Sequence, residues 1–191
     1  DEWLAEIKAK EPELRTAKLE RYKKEYELPD YDAQIITNSK HMADLFEAAT
    51  AICKKPKKVS NWLMVETMRL LKEHGMEPED ISFSPANLAK LIGLTEAGTI
   101  NSSVAKEVFE QVFEKDVDPE SYVEEHGLKT VNDEGALEEV LKEVIAKNPK
   151  AIADYKGGKE KALGALVGQT MKAMKGKANP GMVNKILKEL L

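Results

Sequence analysis

Apolar positions recur at intervals of three and four along nearly the whole chain, the spacing of a helix that buries one face. Leu14 to Tyr26 and His41 to Cys53 read as helices, the first strongly charged. Val59, Leu63, Leu70 and Leu71 belong to a further helix closed by Gly75, a left-handed stop. Ser84-Pro85 supplies an N-cap with proline in the first helical position, and Leu88, Leu91 and Ile92 follow until Gly98. Asn101 caps the next helix, whose apolar face carries Val104, Val108, Val112 and Phe113. Asp118-Pro119 opens a short helix that Gly127 ends.

From Val131 the pattern tightens. Asn132 or Asp133 caps a helix with Leu137, Val140, Leu141, Val144 and Ile145 on one face, and Asn148-Pro149 breaks it. A short helix reaches Tyr155 before Gly157-Gly158 interrupts. Leu163, Leu166, Val167, Met171 and Met174 then form one stripe, Gly176 stops it, and Asn179-Pro180 starts a last helix with Val183, Ile186, Leu187 and Leu190. No segment reads as sheet. The prediction is an all-α protein, a multi-helix domain over residues 1–127 followed by a small three-helix tail bundle over 128–191.

Charge sharpens that division. The net charge of the 191 residues is −5, yet 128–191 hold twelve lysines against eight acids while 1–127 hold seventeen basic and twenty-six acidic residues. The tail is therefore the half suited to a polyanionic partner. No apolar run approaches the ~20 residues of a membrane-spanning helix, so no membrane association is expected. Cys53 is the only cysteine, which excludes an intrachain disulfide framework and fits a cytoplasmic setting. The opening DEWLAEIKAK has no initiator Met and no signal or transit pattern, and the chain is expected to be part of a longer protein.

Catalytic patterns are lacking. His41, His74 and His126 lie on separate helices without metal-ligand spacing, and GGKEK at 157–161 has no strand before it to make a phosphate-binding loop. One pattern has no place in a simple core. Lys161, Gly164, Gly168, Lys172 and Lys175 follow spacings of three, four, four and three, forming a second stripe away from the leucine-methionine face. Glycine inside a helix costs ~1 kcal/mol relative to alanine, so two on one ridge require a reason. Either another helix packs closely there, or lysines flank a bare backbone patch onto which a phosphodiester chain settles. Lys156, Lys159 and Lys177 would extend the basic region. Tyr155 is the tail's only aromatic residue, so contacts to backbone and shape are expected before base stacking.

The residues also carry a resemblance. GKEKALGALVGQTMKAMKGKANPGMVNKILKEL, VNDEGALEEVLKEVIAKNP, GTINSSVAKEVFEQV, NWLM at 61–64 and PELRTAKLERYKKEYELPDYDAQIIT occur in one order. Together they resemble the C-terminal part of the B subunit of the glutamyl-tRNA(Gln)/aspartyl-tRNA(Asn) amidotransferase family, over essentially the whole chain. Val65 follows NWLM where that family has a small residue. A smaller stand-alone family shares the tail-type domain, and PELRTAKLERYKKEY favours the amidotransferase family.

The resemblance implies a helical domain and a tail that approaches the outer corner of tRNA. It implies that ATP and Mg belong to an N-terminal cradle domain, with no cofactor in this chain and no catalysis by it alone. Implied partners are tRNA of the Gln or Asn type, the amidase and small subunits of a heterotrimer, and an aminoacyl-tRNA synthetase. The alternative readings are a protein-docking module within such an assembly and a stand-alone tail-type protein.

Overall fold

The computed structural model describes residues 13–191, and the opening DEWLAEIKAK lies outside the described residues. The fold is all-α. Among the described residues, extended pairing amounts to one isolated parallel bridge, Val131 with Ala178. Contacts divide the chain into two compact units: Asp1–Ile92 with Glu110–Asp116, and Gly93–Phe109 with Val117–Leu191.

In the first unit, α1 (Arg15–Glu25) packs on α2 (Asp30–Asn38), and α2 on α3 (Lys40–Cys53). Ser39 caps α3 by accepting the Met42 N–H at 3.2 Å. Tyr22, Ile36 and Phe46 are wholly buried, with the Tyr22 and Phe46 rings 4.9 Å apart. The phenol is satisfied at the edge of this core, where Tyr22 donates to Glu47 Oε1 at 2.7 Å. Arg21 donates to the same oxygen at 2.6 Å and to Glu13 at 2.6 Å.

Burial pushes the Glu47 carboxyl up, but hydrogen bonds from Tyr22 and Arg21 and the nearby Lys18 outweigh it and hold the group below its ordinary value. A carboxyl with a depressed folded pKa contributes stability that is present above its unfolded pKa and lost as pH falls through the folded one. Glu47→Gln is therefore expected to cost about 1–2 kcal/mol at pH 7. Urea unfolding should show that gap shrinking as pH falls through the ordinary carboxylate range and closing once wild-type Glu47 is also protonated.

α4 (Pro56–Asn61) widens into a π-helical stretch, Trp62–Thr67, and continues as α5 (Met68–His74). The Thr67 hydroxyl donates to the Trp62 carbonyl at 3.1 Å, a five-residue reach that suits the wider turn. The stretch carries the buried Glu66, which Arg69 meets at 3.2 Å while also holding Glu73 and Glu110, each at 2.9 Å. Gly75 ends α5 with φ 63°. At the start of α6 (Pro85–Glu96) the Ser84 hydroxyl accepts the Asn87 N–H at 3.3 Å. Asp116 accepts the Ser84 N–H at 2.8 Å and the Asn87 amide at 2.9 Å.

The second unit takes the N-terminal half of α7 (Ser102–Lys115), α8 (Pro119–Glu125) and everything after it. Asp118 caps α8 through the Ser121 N–H at 3.0 Å. His126 is structural: Nδ1 meets the Tyr122 carbonyl at 2.9 Å and the two rings stack 4.0 Å apart. Then come α9 (Glu134–Lys147), α10 (Pro149–Lys156), α11 (Lys161–Ala173) and α12 (Pro180–Leu190). Of the two candidate caps for α9, Asp133 performs the task, accepting the Gly135 N–H at 2.9 Å. Asn179 caps α12 through the N–H groups of Gly181 and Met182. Leu137, Leu141 and Val144 of α9, Leu166 of α11, and Val183, Ile186 and Leu187 of α12 make one buried core with Ala178.

Candidate nucleic-acid interface

α11 has an inner face and an outer face of different character. Leu166 is wholly buried, with Leu163, Val167, Met171 and Met174 packed on the same core. Thr170 lies on this inner face as well, its hydroxyl donating to the Leu166 carbonyl at 2.8 Å. Its spacing, four after Leu166 and four before Met174, places it on this face, but its residue type is polar; a threonine that bonds its own helix packs like an apolar residue.

Lys161, Gly164, Gly168 and Lys172 are all exposed on the other face. A Cβ added at Gly164 or Gly168 would meet nothing within 4 Å, so no element of the described chain packs closely on these glycines. Of the two explanations for the ridge, close packing by a neighbouring helix is thereby removed for the described residues of this chain. Gly164→Ala and Gly168→Ala should each raise the stability of the second unit by about 0.5–1 kcal/mol, measured as the shift in its urea midpoint.

The rest of the predicted stripe ends differently. Lys175 lies beyond α11 in the left-handed region, φ 51°, followed by Gly176 at φ 74°. The Gly176 N–H donates to the Met171 carbonyl at 2.7 Å and Lys175 N–H to the Lys172 carbonyl at 3.0 Å, closing the last turn. Lysine thus occupies a conformation where glycine would cost less. The Gly176 carbonyl is held by the Asn101 amide, whose oxygen caps α7 through the Val104 N–H at 2.9 Å. Reading Asn101 as a cap accounts for its oxygen only; its NH2 group fixes the turn that displays Lys175.

The remaining candidates scatter. Lys156 ends α10 and is exposed. Lys159 sits in the following turn, paired with Asp154 at 3.0 Å. Lys177 is half-buried, its carbonyl accepting the Val131 N–H at 2.8 Å. Among the described residues, Lys156, Lys161, Lys172, Lys175 and Lys177 make no ion pair, and no group of His, Cys, Asp and Glu side chains is arranged to hold a metal. No described helix is long and apolar enough to cross a membrane.

Among the described residues, clefts on the second unit adjoin the ridge and its flanks. Tyr155, Glu160, Leu163, Gly164, Val167, Asn184 and Lys188 line one of 380 Å³. A second, of 530 Å³, lies between α9 and α11 and includes Lys172. A third, of 360 Å³, is bordered by Asn101, Ser103 and Asn179.

Comparison with known proteins agrees with this architecture. The family described as the GatB domain matches residues 44–191. The B subunit of the aspartyl/glutamyl-tRNA(Asn/Gln) amidotransferase of Agathobacter rectalis is 69% identical over all of this chain. The proteins of the same name from Lachnoclostridium phytofermentans and Thermoanaerobacter sp. are 60% and 52% identical over the same extent. This chain spans 40% of the length of each of these curated relatives. With the family match covering most of the chain and continuing through every helix of the tail, the chain belongs to the GatB domain family.

Proposed function

We propose that this chain holds tRNA for an amidotransferase that converts misacylated Glu-tRNA(Gln) or Asp-tRNA(Asn) in the cytoplasm, and that the tail, residues 128–191, is the part that grips it. The observation that carries the proposal is the open Gly164/Gly168 ridge flanked by unpaired lysines. Helix backbone without side chains lets a sugar-phosphate chain approach closely, and Lys161 and Lys172 stand at either end to neutralise phosphates. Lys175 and Lys177 extend the basic surface past the helix end, Lys156 and Lys159 before it. In this reading the chain performs no chemistry alone. ATP and magnesium are held by the family's cradle domain, and the partners are the amidase and small subunits, with an aminoacyl-tRNA synthetase as donor of the charged tRNA.

Titration with tRNA(Gln) at several salt concentrations, against a generic duplex, tests the proposal. Binding that prefers the tRNA and weakens steeply with salt is expected. Absence of binding at low salt by a folded chain would overturn it.

The same open glycines suit a second reading, docking of a helix from another protein of the assembly at close range. Gly168→Trp separates the two. Its Cβ meets no neighbour within the chain. The variant should abolish association with the partner protein if the ridge docks protein; if RNA lies there it should weaken tRNA binding while the salt slope, set by the lysines, is kept.

A further inference from the structure

The 380 Å³ cleft beside Gly164 gathers four uncommitted polar side chains of different chemistry, whereas the cleft between α9 and α11 leaves Lys172 open and the third leaves the Thr130 hydroxyl. Among the described residues, the side chains of Tyr155, Glu160, Asn184 and Lys188 make no hydrogen bond or ion pair. In the cleft between α9 and α11, Lys147 is paired with Glu143 at 3.4 Å, and Asn148 donates to the Val144 carbonyl at 2.8 Å and to Gln169. In the third, the amides of Asn101 and Asn179 are engaged in capping. Only the first presents a phenol, a carboxylate, a primary amide and an ammonium that are all uncommitted.

Their chemistry is that of a site for a flat, polar, aromatic ring. Tyr155 provides the tail's one aromatic face. Asn184 offers a donor and an acceptor side by side, which is what an adenine or cytosine edge requires. Lys188 supplies positive charge for an adjoining phosphate, and Glu160 an acceptor for an exocyclic amine or a ribose hydroxyl. The volume falls within the ~300–1,000 Å³ of small-ligand sites. Gly164 belongs both to this cleft and to the open ridge. A strand running from Lys172 along the glycines therefore arrives at the cleft after about 12 Å of helix.

We infer that the cleft receives a single unpaired nucleobase of the RNA strand lying on the ridge, stacked on Tyr155 and read on its edge by Asn184. The inference rests on the tRNA-holding reading and adds a base-reading step to what is otherwise a backbone grip. It also assigns Tyr155 a purpose: one aromatic residue is too little for a stacking platform but sufficient for one splayed-out base.

The test is tRNA affinity of Tyr155→Leu, Tyr155→Phe and Asn184→Ala, each measured across a salt series beside wild type. Tyr155→Leu should weaken binding about tenfold and leave the salt slope unchanged, because stacking involves no counterion release. Tyr155→Phe should retain most of the affinity. Asn184 is exposed, so its truncation leaves the fold intact; Asn184→Ala should weaken binding several-fold even if Tyr155→Leu disturbs the bundle. None of the three should change binding to a blunt RNA duplex. Wild-type affinity for tRNA in both Tyr155→Leu and Asn184→Ala would overturn the base site and leave the phosphate grip standing. No tRNA binding by wild type would overturn the grip and the base site together. Adenosine monophosphate is the free-nucleotide probe: displacement of tRNA at concentrations comparable to the tRNA's would reassign the cleft to a free nucleotide and overturn the strand inference.

Discussion

Leu166→Ala should melt the tail while leaving the first unit folded. Leu166 is the one leucine of α11 that is wholly buried, and it meets residues from α9 and α12 in a single small core. Removing such a side chain costs about 3 kcal/mol, partly from lost transfer energy and partly from the cavity left behind. A tail of this size has roughly 3–10 kcal/mol of stability in total, so that loss takes much or all of it. Hydrogen exchange is the suitable measurement, because a single unfolding midpoint is poorly defined for a chain with two compact units. Amides of α9, α11 and α12 should lose protection by about two orders of magnitude, while those of α3 around Phe46 keep theirs. The contrast with Gly168→Ala is informative, since a change two residues away in sequence but on the outer face should have the opposite sign. Equal protection in Leu166→Ala and wild type would contradict the assignment of this leucine to the core.

What the chain's pattern discloses is largely what a helix needs from its own residues. The tail helices, their caps at Asp133 and Asn179, and the core of Leu137, Leu141, Leu166 and Val183 all follow from local rules, because each element carries its own apolar stripe and its own punctuation. The helix Asp30–Asn38 is different. Its nine residues are too few to show a sustained period, and the helix is packed on both α1 and α3. The π-helical stretch is invisible for a related reason: Thr67 reaching the Trp62 carbonyl is a side-chain choice that no period encodes. Glu47, Glu66 and Asp116 sit among charges that look solvated in sequence, and only folding shows which of them find Arg21, Arg69 or the Ser84 N–H. The glycine-lysine ridge is legible as a spacing. That nothing in the described chain covers it is not, since emptiness is a property of the three-dimensional surroundings.

Replacing Lys172 and Lys175 together by glutamate is expected to produce the largest change in RNA binding. Lys172 is in the last turn of α11 and Lys175 just past it, both exposed and without an ion pair among the described residues. Each phosphate contact contributes close to one unit to the slope of log affinity against log salt, so the slope should fall by about two. Reversal adds repulsion to the lost attraction, and affinity for tRNA at low salt should drop on the order of a hundredfold. A cation in the last helical turn also stabilises the helix by about 0.3–1 kcal/mol, so folding contributes to the loss as well. Two comparisons separate these causes. Lys172→Gln with Lys175→Gln removes the charges without reversing them and should lie between wild type and the glutamate variant in both affinity and slope. Lys142→Glu with Lys185→Glu changes net charge by the same amount at lysines already paired with Glu138 at 2.6 Å and Glu134 at 3.4 Å. If the ridge is the grip, this second variant keeps most of its affinity and nearly all of its slope. Equal losses in both would mean that the tail attracts RNA through its overall charge, and the open glycines between Lys161 and Lys172 would then belong to a protein partner.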